Sequence, residues 1–152
     1  MTDAIADFED ILSLFETYKI RYLIIGGLAV IYHAKPRFTK DMDIWIEFTD
    51  DNIRKANLAL SEFGSPENLS FSDDSEVLQL GFAPNRIDFF LRIENINFID
   101  AWTSRIKGSY GKAPANWIDI DTLIKIKSGI QKPKHQEDAR ILIAAKEFNK
   151  KK

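Results

Sequence analysis

Apolar residues recur every three to four positions at the start of the chain: Ile5, Phe8, Ile11, Leu12 and Phe15 share one helical face, predicting an amphipathic helix over residues 3–17. The period then changes. Arg21-Tyr-Leu-Ile-Ile25 is a β-rich run that enters Gly26-Gly27 directly, and Leu28 to Ala34 has room for about two helical turns before Pro36 breaks it. Residues 43–48 alternate and predict a strand. Asp50 and Asp51 are placed to cap a helix that ends near Phe63. A loop rich in Gly, Pro, Ser, Asn and Asp covers 64–75. Two strands follow at about 76–82 and 86–93, joined by Ala83-Pro84-Asn85, which predicts a hairpin. Residues 97–106 have a helical pattern, 107–116 read as loop, and Trp117-Ile118-Asp119-Ile120 as a short strand. Two helices close the chain, at about 121–130 and 135–149, split by Pro133.

This order of elements predicts an α/β or α+β fold with a mixed sheet. The expected organisation is one domain over 1–152, with a core at about 3–106 and a C-terminal helical segment at about 117–149. With 45% hydrophobic and 12% aromatic residues, 152 residues are enough to enclose a core. There is no cysteine, which excludes thiolate metal sites, disulfides and cysteine nucleophiles and makes a reducing, cytoplasmic setting the expectation. No apolar run approaches the roughly 18 residues of a membrane span. The formal net charge of −2 argues against avid binding of long nucleic acid, but leaves room for a nucleotide or a single RNA end.

The chemistry concentrates in two short stretches and one outlying carboxylate. Gly26-Gly27, between strand and helix, lets backbone approach a ligand closely, and the helix start offers N–H donors suited to phosphate. It reads equally as a turn that needs glycine. Asp41 and Asp43 are two apart at the head of a strand and face the same way, with Cα atoms roughly 6.5–7 Å apart, a placement able to share Mg²⁺. Alone, they read equally as a polar turn. Together the motifs make a geometric demand: the strand ending in the glycines and the strand beginning at the aspartates must be antiparallel. Asp88 stands inside the apolar strand Arg86-Ile-Asp-Phe-Phe-Leu-Arg-Ile93, where an unpaired charge is costly. It is either paired with Arg86 or Arg92, or it is a third carboxylate facing the same metals. Arg37 and Thr39 precede the acidic pair and could touch phosphate and orient Asp41. His33 reads as the end of its short helix, and Trp45 as packing. No P-loop, Rossmann or Gly-x-Ser-x-Gly pattern is present.

The run from Gly26-Gly27-Leu28 through Tyr32-His33 to Arg37-Phe38-Thr39-Lys40-Asp41-Met42-Asp43 resembles the opening motif of the nucleotidyltransferase superfamily, the polymerase-beta-like fold. It is most similar to the small branch related to AbiEii-type toxins of bacterial toxin–antitoxin systems. The resemblance implies a nucleotidyltransferase-like mixed sheet flanked by helices, with further helices at the C-terminus. It implies Asp41, Asp43 and Asp88 as metal ligands and catalytic carboxylates, with Gly26, Gly27, Arg37, Thr39 and Lys127 on the nucleotide. The implied cofactor is Mg²⁺ or Mn²⁺ and the implied substrate an NTP, such as ATP. The acceptor would be RNA, protein or a small molecule, and a cognate antitoxin would be a partner. The ending Leu123-Ile-Lys-Ile-Lys127, then Lys132-Pro-Lys-His-Gln-Glu-Asp138, is similar to that branch's, so Asp138 is expected to hold Lys127. There are departures: Ala34 and Gly27 stand where many relatives have glycine and serine, and His135 where the branch often has aspartate. Two other readings stay open, a nucleotidyltransferase of small antibiotics like the lincosamide-modifying enzymes, and a catalytically silent binding module of the same fold.

Overall fold

A computed structural model describes residues 4–36, 39, 41–82 and 84–150. The elements in chain order are α1 (Ala4–Thr17), β1 (Tyr22–Ile25), α2 (Gly26–His33), β2 (Asp41–Ile46), α3 (Asp50–Phe63), β3 (Val77–Leu80) and β4 (Arg86–Phe90). There follow α4 (Phe98–Thr103), β5 (Ile106–Tyr110), β6 (Ala113–Trp117), α5 (Ile120–Ser128) and α6 (Pro133–Lys150). The six strands form one mixed sheet in the order β3-β4-β2-β1-β6-β5.

Strand β1 is antiparallel to β2, with Ile25 opposite Asp43, as the glycine and aspartate motifs require. Strand β4 runs parallel to β2, with Asp41 beside Arg86 and Asp43 beside Asp88. The expected hairpin is present as β3 antiparallel to β4. These registers sort the side chains. Tyr22, Ile24, Ile44, Ile46 and Phe89 share one face, and Phe15 of α1 packs its ring against both Tyr22 and Phe89 there. Ile11, Leu12 and Phe15 of α1 are wholly buried, and α3 packs beside α1. The opposite face carries Asp41, Asp43, Arg86 and Asp88. Helix α2 begins on that face and contacts α5 and α6.

Four details depart from the sequence reading. The segment read as the end of a helix and a loop, 97–116, holds only a short helix and then a β-hairpin, β5 and β6. Its inward positions in β6 are Ala113, Ala115 and Trp117, all buried, and two alanines give almost no hydrophobic alternation to read. Gly111, at φ 56, turns the hairpin. The expected strand at 117–120 is instead the end of β6 followed by Asp119, whose side chain accepts from Thr122 N and caps α5. Helix α3 is capped by Thr49, not by Asp50 or Asp51, which lie in its first turn and complement its dipole. Pro133 does not separate the last two helices but opens α6, where its missing N–H costs nothing.

Candidate active site

The site begins where β1 ends. Gly26 has φ 70, a left-handed backbone that favours glycine, and a Cβ there would collide with the Asp43 carboxylate. Glycine is therefore required twice, for the turn and for the approach of the carboxylate to the backbone. Gly27 is buried in the first turn of α2, and no side chain caps that helix start, so its leading N–H groups have no side-chain partner among the described residues.

Asp41, Asp43 and Asp88 converge as the registers dictate: one oxygen from each lies within 4.8 Å of the others. Three carboxylates so close cannot all be charged without compensation. Burial pushes the Asp43 carboxyl up to about 7, with the charges of Asp41 and then Asp88 adding to it, while Lys127 and Arg86 pull the other way. Asp88 is raised as well, first by burial, against the opposing charge of Arg86.

Arg86 is the partner of two of the three. Its Nη2 lies 2.5 Å from Asp41 Oδ2 and 3.2 Å from Asp88 Oδ2. Its Nε sits 3.1 Å from Asp88 Oδ1 without meeting hydrogen-bond geometry, so that buried oxygen accepts no hydrogen bond. Asp88 is only 6% exposed. Three converging carboxylates, one with a buried oxygen that accepts no hydrogen bond, are a donor set that fits an oxygen-seeking divalent cation.

Lys127 enters from α5. It is buried, its Nζ 3.0 Å from Asp138 Oδ2 and 3.1 Å from His135 Nδ1. An ammonium only donates, so Nδ1 of His135 must be the acceptor, and burial followed by the Lys127 charge lowers the His135 pKa to match. Asp138 therefore holds Lys127 as expected, and His135, noted in the sequence only as a departure, is its second support. The influence of Lys127 on Asp43 puts its charge within electrostatic reach of the carboxylates.

The remaining expectations divide. Thr39 Oγ1 lies 3.4 Å from the Asp41 backbone carbonyl, so it contacts the start of β2 and not the carboxylate. Arg37 lies outside the described residues. His33 closes α2, its Nε2 2.6 Å from Ile118 O, and Tyr32 stacks on Trp117 at 4.2 Å; both fasten α2 to the end of β6. Trp45 is buried against Phe98. Arg86 bridging two carboxylates was not foreseen: the sequence offered it only as a partner for Asp88. The signal for Asp41 lay in the register of two separate strands, which alternation within one strand does not reveal.

No protein-family model matches the chain, and no curated protein matches it in sequence. Solved structures do match. The lincosamide antibiotic adenylyltransferase LnuA, in its lincomycin-bound structure, has a TM-score of 0.62 at 17% identity over 92% of this chain and 96% of its own. ANT(2")-Ia, in complex with adenylyl-2"-tobramycin, has a TM-score of 0.64 at 14% identity, over 95% and 90%. This chain has a nucleotidyltransferase-like fold. An antigenic nucleotidyltransferase-like protein from Paracoccidioides brasiliensis is also similar, with a TM-score of 0.56 at 15% identity, over 95% of this chain and 76% of its own. Among the described residues no helix is long and apolar enough to cross a membrane.

Proposed function

We propose that this protein is a metal-dependent nucleotidyltransferase, moving a nucleoside monophosphate from an NTP to a hydroxyl acceptor. The observation that carries this reading is the convergence of Asp41, Asp43 and Asp88 beside the uncapped start of α2, in a nucleotidyltransferase-like fold. Asp41 and Asp43 would hold Mg²⁺ or Mn²⁺, with Asp88 as the third ligand. The cation, when bound, supplies neutralisation of triphosphate charge and acidifies a coordinated hydroxyl. Gly26 and Gly27 would present backbone N–H groups to the phosphates, and Lys127, braced by Asp138 and His135, would add a fixed positive charge. Thr39 would steady the start of β2, and Arg37, just upstream, is assigned to the phosphates.

In the transfer, the acceptor oxygen forms a bond to the α-phosphorus and the α–β bridging P–O bond breaks, releasing pyrophosphate. Asp88 takes the hydroxyl proton. Arg86, paired with Asp41 and Asp88, would hold both carboxylates in place for this. Such a reaction asks the protein chiefly for positioning and charge compensation.

For the acceptor, the motif over residues 26–44 supports an AbiEii-like, toxin-type enzyme acting on RNA or protein, with a cognate antitoxin as partner. A second reading, a small-molecule acceptor, is favoured by the two neighbours whose structures hold lincomycin and adenylylated tobramycin. The deciding experiment incubates the protein with each α-labelled NTP, Mg²⁺ or Mn²⁺, and tRNA, protein or antibiotic acceptors. Label appearing in one acceptor class, and lost in Asp41→Ala and Asp43→Ala, supports the proposal; transfer that survives both substitutions removes the carboxylates from the chemistry.

A further inference from the structure

The end of β1 away from the carboxylates carries the opposite charge. A cleft of about 440 Å³ opens where the α1–β1 turn, the end of α4 and the β5–β6 hairpin meet, lined by Lys19, Arg21, Trp102, Arg105, Lys107 and Asn116, among others. Four cations face one carboxylate, Glu16, on its wall, in a chain whose formal net charge is −2. Arg105 lies over Trp102, its Cζ 3.8 Å from the ring centroid, and its Nη1 donates to Trp102 O at 2.9 Å. Arg21 flanks the same ring at 5.7 Å. Trp102 also stacks on Phe98, so the ring is a plate that orients arginines and not a platform for a base. A guanidinium held over a ring keeps its remaining donors free for phosphate oxygens. Arg21 pairs with Glu47 at 3.5 Å and is 51% exposed, so its guanidinium also faces solvent.

We propose that this cleft binds the phosphodiester backbone of a single nucleic-acid strand. The cations come from separate segments spread along a recess and do not converge on one point, which suits a flexible polyanion better than one phosphate. A covered Trp102 predicts recognition of charge with little base preference. The inference stands whether or not the carboxylates act on the bound strand.

The test is fluorescence anisotropy of a labelled oligouridylate about a dozen nucleotides long, and of its DNA counterpart, across a salt series. Contact with four phosphates gives a slope of log K against log salt of about −3 for a single strand. Lys19→Asn with Lys107→Gln, both exposed positions, should weaken binding on the order of tenfold and bring the slope to about −1.4. Arg105→Lys keeps the charge but loses the guanidinium held over the ring, and should weaken binding with the slope kept. Lys132→Gln with Lys134→Gln, either side of Pro133 at the start of α6, removes as many charges elsewhere and should leave strand binding unchanged. Nucleotide binding with Mn²⁺, measured separately, should be the same in the Lys19, Lys107 and Arg105 variants as in the wild type. Equal affinity for RNA and DNA, or a preference for RNA, supports the proposal. Absent binding, an equal loss from the Lys132 and Lys134 variant, or displacement by polyglutamate as effective as by unlabelled oligonucleotide, overturns it.

Discussion

Two polar clusters are buried at opposite ends of β1. At its start, Asn52 is 3% exposed, yet its Oδ1 accepts from Arg21 N at 2.9 Å and its Nδ2 donates to Arg21 O at 3.0 Å and Glu47 O at 2.9 Å. The amide is matched on every side, and it pins α3 to the sheet. At the other end, one arginine serves two of three crowded carboxylates: Arg86 bridges Asp41 and Asp88, one Asp88 oxygen still accepts no hydrogen bond, and burial with the neighbouring charges pushes Asp43 up to about 7. A satisfied buried polar group is what folding produces for its own stability. A mutually repelling group costs stability and makes sense when a ligand completes it. The contrast separates scaffold from site with no reference to any relative.

The widest separation is expected in catalysis. Asp43→Asn should lower nucleotidyl transfer by about a thousandfold or more, a loss of about 4 kcal/mol of transition-state stabilisation, while leaving the metal-free fold no less stable. Label-transfer rates beside melting curves check both halves, and a variant that melts early would make the carboxylates structural. Asn52→Ala should behave the opposite way. Losing three hydrogen bonds, one of which leaves Arg21 N without a partner while Arg21 O and Glu47 O keep backbone donors, should cost about 3 kcal/mol in urea unfolding, with Mn²⁺ affinity unchanged.

A pH series sharpens the same contrast. Burial pushes Asp43 up to about 7 in the folded state from an ordinary value of 3.8, so between these values the folded state binds more protons than the unfolded one. Metal-free stability should therefore fall as pH rises from about 4 to about 7 and level off above, by about 4 kcal/mol at most. Denaturation in chelator should show this slope in the wild type and in Asn52→Ala, and lose most of it in Asp43→Asn. The smallest effect compares two left-handed glycines. Gly64, at φ 103, has nothing within 4 Å of a built Cβ, whereas Gly26 has the Asp43 carboxylate. Gly64→Ala should cost about 1 kcal/mol of backbone strain and spare metal binding, while Gly26→Ala should cost about 2 kcal/mol and weaken it. Equal behaviour would mean that Gly26 serves only the turn.

The parts of this design that could be read along the chain are those whose signal is local. Alternation in β2 and the short connection after Gly26-Gly27 force the antiparallel pairing, and a carboxylate amid Ile87, Phe89 and Phe90 marks Asp88 as needing a partner. The Lys127–Asp138 pair came instead from the resemblance of the ending to the AbiEii-related branch. What stayed hidden depends on contacts between distant segments. The pairing of Arg86 with Asp41 exists only through the β2–β4 register. The β5–β6 hairpin hides behind Ala113, Pro114 and Ala115, whose small side chains fill narrow space without announcing a period. The basic cleft gathers Lys19, Arg21, Arg105 and Lys107 from two stretches more than eighty residues apart, and the net charge of the whole chain masks it.

The central claim is that the three carboxylates are incomplete without a divalent cation. Calorimetric titration of Mn²⁺ into the protein, with a non-hydrolysable NTP analogue present, addresses it most directly. The account predicts saturable binding that strengthens as pH rises toward 7, stabilises the fold against heat, and disappears in Asp41→Ala and Asp43→Asn. Binding of the same affinity in those two variants, or none in the wild type, would contradict it.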